Sequence, residues 1–132
     1  MLKLTKKFEY GLLAIRYIAQ MRNGDIATAK EIADQSGLPY ELVAKILQQL
    51  AKAEIVSSVQ GVKGGYRLNK PASEISFTEI ADAVDDPIQL IECADNPTGC
   101  SVYPGCGIKQ PLTEIQKRFR QIFSEAKVAE IL

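Results

Sequence analysis

Apolar residues fall on helical spacing from about Lys6 to Arg22, at Phe8, Leu12, Ile15 and Ala19 and again at Leu13 and Ile18. This spacing predicts a helix with a wide buried face, ended by the turn chemistry of Asn23-Gly24-Asp25. Thr28 followed three residues later by Glu31 predicts a capping box opening a second helix, with Ile32 and Ala33 on its apolar side. Gly37 stops that helix, and Pro39 stands where the next can start. The third helix, to about Ala53, buries Leu42, Val43, Ile46, Leu47 and Leu50. It shows Tyr40, Glu41, Ala44, Lys45, Gln48 and Gln49 on its other face. Two short helices joined by a tight glycine-containing turn form a helix-turn-helix, and this polar and basic face suits a reader of the major groove.

The β-branched run Ile55 to Val59, the loop Gln60 to Gly65 and the return Tyr66-Arg67-Leu68 predict a hairpin directly after the helix-turn-helix, hence a wing. Its glycine-rich tip carries Lys63 and allows close approach to a phosphate or a minor groove. Ser76 and Glu79 make a second capping box before a short helix with Phe77, Ile80, Ala81 and Val84. From Ile88 to Pro111 the pattern is that of a long loop, and loops of this length are usually functional. From Leu112 to about Ala126 a last helix carries an apolar stripe of Leu112, Ile115, Phe119, Ile122 and Phe123. Either the chain's own core or a second copy can cover the stripe. A homodimer is the expectation, because DNA readers of this size pair across two half-sites.

The fold class is therefore mostly α with a small β-hairpin. Expected divisions are a winged helix-turn-helix DNA-binding domain over 1–84, a cysteine-rich loop over 85–110, and a C-terminal dimerisation helix and tail over 111–132. A chain of 132 residues leaves no room for a separate catalytic domain. No acid–base pair, phosphate loop or cofactor fingerprint points to an enzyme or a small-molecule substrate. No stretch approaches the roughly 18 apolar residues of a membrane span, and no secretory leader is recognisable, so the expected location is the cytoplasm. The net charge of zero hides a segregation. Residues 1–70 hold 11 Lys/Arg against 6 Asp/Glu, a net of +5, and residues 71–132 hold 5 against 10, a net of −5. The basic half can meet double-stranded DNA while the acidic half stays clear of it.

All three cysteines, Cys93, Cys100 and Cys106, lie within one loop with the spacing Cys-x6-Cys-x5-Cys, among Pro97, Gly99, Pro104, Gly105 and Gly107. Clustered thiols in a glycine-rich loop of an intracellular protein point to metal or redox chemistry. Zinc ordinarily takes four Cys or His ligands, and the chain has no histidine. An iron–sulfur cluster with three thiolates and a weaker fourth ligand suits the count. A cluster-free thiol switch, or three tolerated thiols, are the alternatives.

The order of these pieces resembles the Rrf-two family of bacterial transcription regulators. The likeness is carried by Leu4-Thr5-Lys6 with Glu9-Tyr10-Gly11-Leu12, by Lys30-Glu31-Ile32-Ala33, by the wing from Ser57-Ser58-Val59 to Gly64-Gly65-Tyr66-Arg67-Leu68, and by the cysteine loop. It implies a homodimer crossed through the last helix and an iron–sulfur cluster, 2Fe–2S or 4Fe–4S, on Cys93, Cys100 and Cys106. Some members place a histidine three residues after the third cysteine, where this chain has Lys109. Others use an acidic residue of the opposite subunit's first helix, and the matching position is Glu9, the candidate fourth ligand. Gln60 and Ala44 also depart from common family choices at the DNA surface. The expected groove contacts are Tyr40, Glu41, Lys45 and Gln48, with Thr5, Lys6, Gln60 and Lys63 on the backbone or through the wing. The expected function is a repressor that senses iron–sulfur status, redox state or nitric oxide.

Overall fold

The computed structural model describes residues 3–22, 24–62, 64–94 and 96–132. Five helices and one hairpin follow in the order α1 (Lys6–Ala19), α2 (Ala29–Ser36), α3 (Tyr40–Lys52), β1 (Val56–Val59), β2 (Gly65–Leu68), α4 (Phe77–Ala83) and α5 (Lys109–Glu125), with short 3-10 turns between and after them.

Helix α1 starts because the Thr5 hydroxyl accepts from the Phe8 amide at 3.3 Å, satisfying one of the donors a helix start leaves unpaired. It buries Phe8, Gly11, Ala14, Ile15 and Ile18, a stripe rotated slightly from the expected one, so that Leu13 stays 39% exposed. The rotation follows from Gly11. A Cβ there would lie 3.0 Å from Ile80 Cγ2, so the missing side chain is what lets α4 approach α1. The helix ends at Ala19, short of Arg22, and Gly24 (φ 92°) turns the chain. Asn23 of the expected turn lies outside the described residues.

Helices α2 and α3 meet as the pattern predicts. Gly37 adopts the left-handed conformation (φ 69°) and donates to Ala33 O, while Leu38 N also reaches Ala33 O at 3.0 Å. Pro39 caps α3, which buries Val43, Ile46, Leu47 and Leu50. The two strands pair antiparallel with Val56 opposite Leu68 and Val59 opposite Gly65. Ala27 adds a bridge to Tyr66, through bonds of 2.9 and 2.7 Å. This bridge explains Gly65. A Cβ there would stand 2.5 Å from Ile26 Cγ2 and 2.6 Å from Ala27 O, so the glycine serves packing at the base of the wing.

Of the two expected capping boxes, Ser76–Glu79 closes in both directions and Thr28 accepts from Glu31 N at 3.0 Å in the forward direction. Burial pushes the Glu79 carboxyl up, but the Lys70 ammonium and the Ser76 amide outweigh it, and the net shift is below the ordinary value of 4.5. A lowered carboxyl stabilises the folded state above its ordinary value and loses that contribution as pH falls through the lowered one. Ser76→Ala is expected to cost about 1 kcal/mol in urea unfolding at neutral pH. Glu79→Gln should show a flatter loss of stability between pH 5 and 3 than the wild type; parallel pH profiles would refute the assignment.

Helix α5 begins at Lys109, two residues before Pro111 and three before the expected start. Pro111 lies in the first turn, where a missing N–H costs nothing, so it marks the interior of the helix start and not the end of the loop. Phe123 of α5 joins Phe8 of α1 and Phe77 of α4 in a triangle of rings with centroids 6.0 to 6.2 Å apart. After α5 the tail turns back. Phe77 N donates to Ala126 O, Val128 N to Ile75 O, and Val128 is fully buried. The apolar stripe of α5 is thereby divided: Phe123 packs in the chain's own core, while Ile115 is 42% and Ile122 60% exposed, in line with Ile108 at 62%.

Candidate nucleic-acid interface and cysteine loop

Tyr40, Glu41, Lys45 and Gln48 are all exposed on one face of α3, opposite the buried Val43-Ile46-Leu47-Leu50 side, as the helical period requires. Gln49 behaves differently: its amide turns away and donates to Asp85 Oδ2 at 3.2 Å. The wing tip presents Gln60 and Gly61 (φ 120°) to solvent. Lys63 lies outside the described residues. Val62, which sequence reasoning passed over, is fully exposed at the tip. Its only sequence signal is an apolar residue in a glycine-rich tip.

At the start of α1, Thr5 is engaged twice, as the helix cap and as donor to Asp86. The Lys6 ammonium lies 3.1 Å from Glu9 on an exposed surface, and this contact holds Lys6 above its ordinary pKa. The Glu9 carboxylate of the single chain thus faces Lys6. The N-terminal ends of α1 and α3 and the wing tip all carry exposed polar side chains with no role in the core.

The cysteine loop is three short 3-10 turns, Glu92–Ala94, Pro97–Gly99 and Tyr103–Gly105. All three thiols are free; Cys93 and Cys106 are half-buried and Cys100 is exposed. Among the described residues, no three Cys, Asp or Glu side chains gather closely enough to hold a metal ion within one chain. Lys109 is part of the loop's scaffold: its ammonium sits 4.4 Å from the centre of the Tyr103 ring and donates to Tyr103 O at 3.1 Å.

The segment leading into the loop is strapped to α5. Gln116 is 2% exposed, and its Oε1 accepts from Leu90 N at 2.8 Å and from Ile91 N at 2.9 Å, satisfying two backbone donors that burial would otherwise leave unpaired. Arg120 Nε donates to Ile88 O at 3.1 Å. Sequence reasoning missed Gln116 because a glutamine on a helix carries no signature of burial. A polar residue one step past the exposed Ile115, on the stripe's flank, was the available hint.

A helix-turn-helix followed by a hairpin wing, with an exposed polar face on its second helix and a strapped thiol loop, defines a winged-helix DNA-binding regulator. The chain matches the family model described as Rrf2, iron-dependent transcriptional regulator, over residues 4–132. It belongs to the Rrf2 family. Its fold is similar to that of CymR, the global cysteine regulator of B. subtilis (TM-score 0.78, 21% identity, covering 99% of this chain and 96% of that one). It is similar also to T. potens IscR (0.74, 25%, 98% and 85%) and to the oxidized form of Staphylococcus aureus CymR (0.73, 24%, 96% and 93%). Among the described residues no helix is long and apolar enough to cross a membrane.

Proposed function

We propose that the chain is a homodimeric transcriptional repressor that binds a palindromic operator and whose affinity is set by the state of Cys93, Cys100 and Cys106. The observation that carries this reading is three free thiols on one loop, whose first residues a buried glutamine fastens to the same helix that bears the exposed stripe Ile108, Ile115 and Ile122. Tyr40, Glu41, Lys45 and Gln48 would read the major groove. Thr5, Lys6, Gln60 and Lys63 would contact the backbone or enter through the wing.

The donor chemistry fits an iron–sulfur cluster held by Cys93, Cys100 and Cys106. Gly105 and Gly107 have open space at the Cβ position and no positive φ, so neither packing nor backbone conformation calls for glycine there. Room for backbone amides beside a bound group accounts for both. The fourth position would go to Glu9 from the opposite subunit, which has to exchange Lys6 for the cluster. Lys109 is a poor candidate, since its charged ammonium is already committed to Tyr103. A bound cluster supplies chemistry that responds to oxidants, iron supply and nitric oxide.

A second reading, a cluster-free thiol sensor, is favoured by the exposure of Cys100 and the absence of a gathered ligand set among the described residues. Anaerobic purification separates the two. The cluster reading expects a brown dimer whose native mass includes iron and sulfide, with cluster stability falling at least about tenfold in Glu9→Ala. A colourless iron-free protein that still forms a reversible disulfide or sulfenic acid would establish the second reading in its place.

A further inference from the structure

We propose that residues 85–91 act as a transmission strap, in which Gln116 and Asp85 are positioning residues that tie the placement of Cys93 to that of the reading helix α3. The proposal rests on the reading of the cysteine loop as the sensor. At the loop end, Gln116 spends both acceptor sites of one buried oxygen on consecutive amides, Leu90 N and Ile91 N, two residues before Cys93. Two bonds from one fixed atom set the orientation of the backbone as well as its distance, so a change in the path of Cys93 is felt along the strap.

At the other end, Asp85 follows α4 in the left-handed conformation (φ 58°). Asp85 N donates to Asp82 O at 3.2 Å and Asp86 N to Ala81 O at 2.9 Å, the bonding of a helix end at which glycine is the residue of least strain. An aspartate held there supplies what glycine cannot. Its carboxylate accepts from Gln49 on α3, the one residue of the polar side of that helix drawn away from the reading face. The next residue, Asp86, accepts from Thr5 at the start of α1, so the two helices that carry expected DNA contacts are tethered to the same turn.

Between its ends the strap is held at Ile88 O by Arg120 of α5, and it lines open space. Asp86 to Leu90 form one wall of an open cavity of about 500 Å³, closed on the other sides by Leu4, Phe8, Phe119 and Phe123. A segment held at a few points beside open space can take two placements, whereas a fully packed one cannot. Coupling of this kind is established only by a change in response, not by adjacency.

The test uses the full-length protein and a DNA duplex that the wild type selects from a randomised pool, with binding measured before and after alkylation of the loop thiols by iodoacetamide. The wild type is expected to change affinity about tenfold or more on alkylation. In Asp85→Gly and Gln116→Leu the change should shrink below about twofold, whichever affinity the variant starts from. Asp85→Gly should melt at or above the wild-type temperature, because glycine relieves the left-handed position, so lost response cannot be laid to lost folding. If Gln116→Leu fails to fold, Asp85→Gly decides. A wild-type-sized response in Asp85→Gly overturns the strap while leaving the sensor reading intact. A wild type whose thiols are alkylated, as its mass shows, and whose affinity does not change overturns the sensor reading itself.

Discussion

Ile115→Asp combined with Ile122→Asp is expected to yield a folded monomer whose affinity for duplex DNA is at least about 100-fold below that of the wild type. Ile115 and Ile122 are 42% and 60% exposed and lie seven residues apart, with Ile108 one further heptad back, so they form an exposed apolar line outside the chain's own core, the seam that the proposed dimer would use. Substitution of half-exposed residues away from the core changes the stability of the single chain little, by about 0.5 kcal/mol. Two carboxylates per subunit placed in an apolar seam would face each other without partners, which is costly when desolvated. A dimer on two half-sites gains its affinity by making the second contact intramolecular, and a monomer forfeits that gain. Light scattering after gel filtration, with circular dichroism to verify the helices, reads both effects. A persistent dimer with unchanged DNA affinity would show that the seam lies elsewhere.

Phe8→Ala is expected to lower unfolding free energy by about 3 to 5 kcal/mol, a large share of the stability of a domain this size. Phe8 is 1% exposed, and its ring meets Phe77 of α4 and Phe123 of α5 edge-on. Its removal leaves a cavity where three elements converge. Because α5 is held to the winged-helix core partly through Phe123, loss of the ring should also loosen the strap and the thiol loop. Urea unfolding monitored by tyrosine fluorescence gives the magnitude. A cost below about 1.5 kcal/mol would mean that the three rings do not act as a unit.

The winged helix was legible in the sequence because its signals are local. Thr28, Gly37, Pro39 and Ser76 each act within one turn of chain, and the structure places caps and stops at all four. The sequence pattern starts α5 three residues late because Pro111 reads as part of the loop, whereas the first turn of a helix tolerates proline. The apolar pattern of α1 points slightly off its buried face because a glycine gives no apolar signal. Gly11 faces the core to admit α4. Wing glycines divide in the same way: Gly61 takes a conformation suited to glycine, while Gly65 answers to the backbone of Ala27.

Periodicity, capping and the cysteine spacing determined the order of the elements, the exposed polar face of α3 and the clustering of Cys93, Cys100 and Cys106 on one loop, since each depends on residues near one another in the chain. Tertiary structure alone decided which part of the α5 stripe enters the core and which remains exposed. It also turned Gln49 from the polar face to Asp85, and set Gln116 beneath the amides of residues 90 and 91. These contacts join residues 25 to 36 positions apart. A polar side chain's partner at that separation is chosen by the geometry of packed helices, which no local pattern encodes.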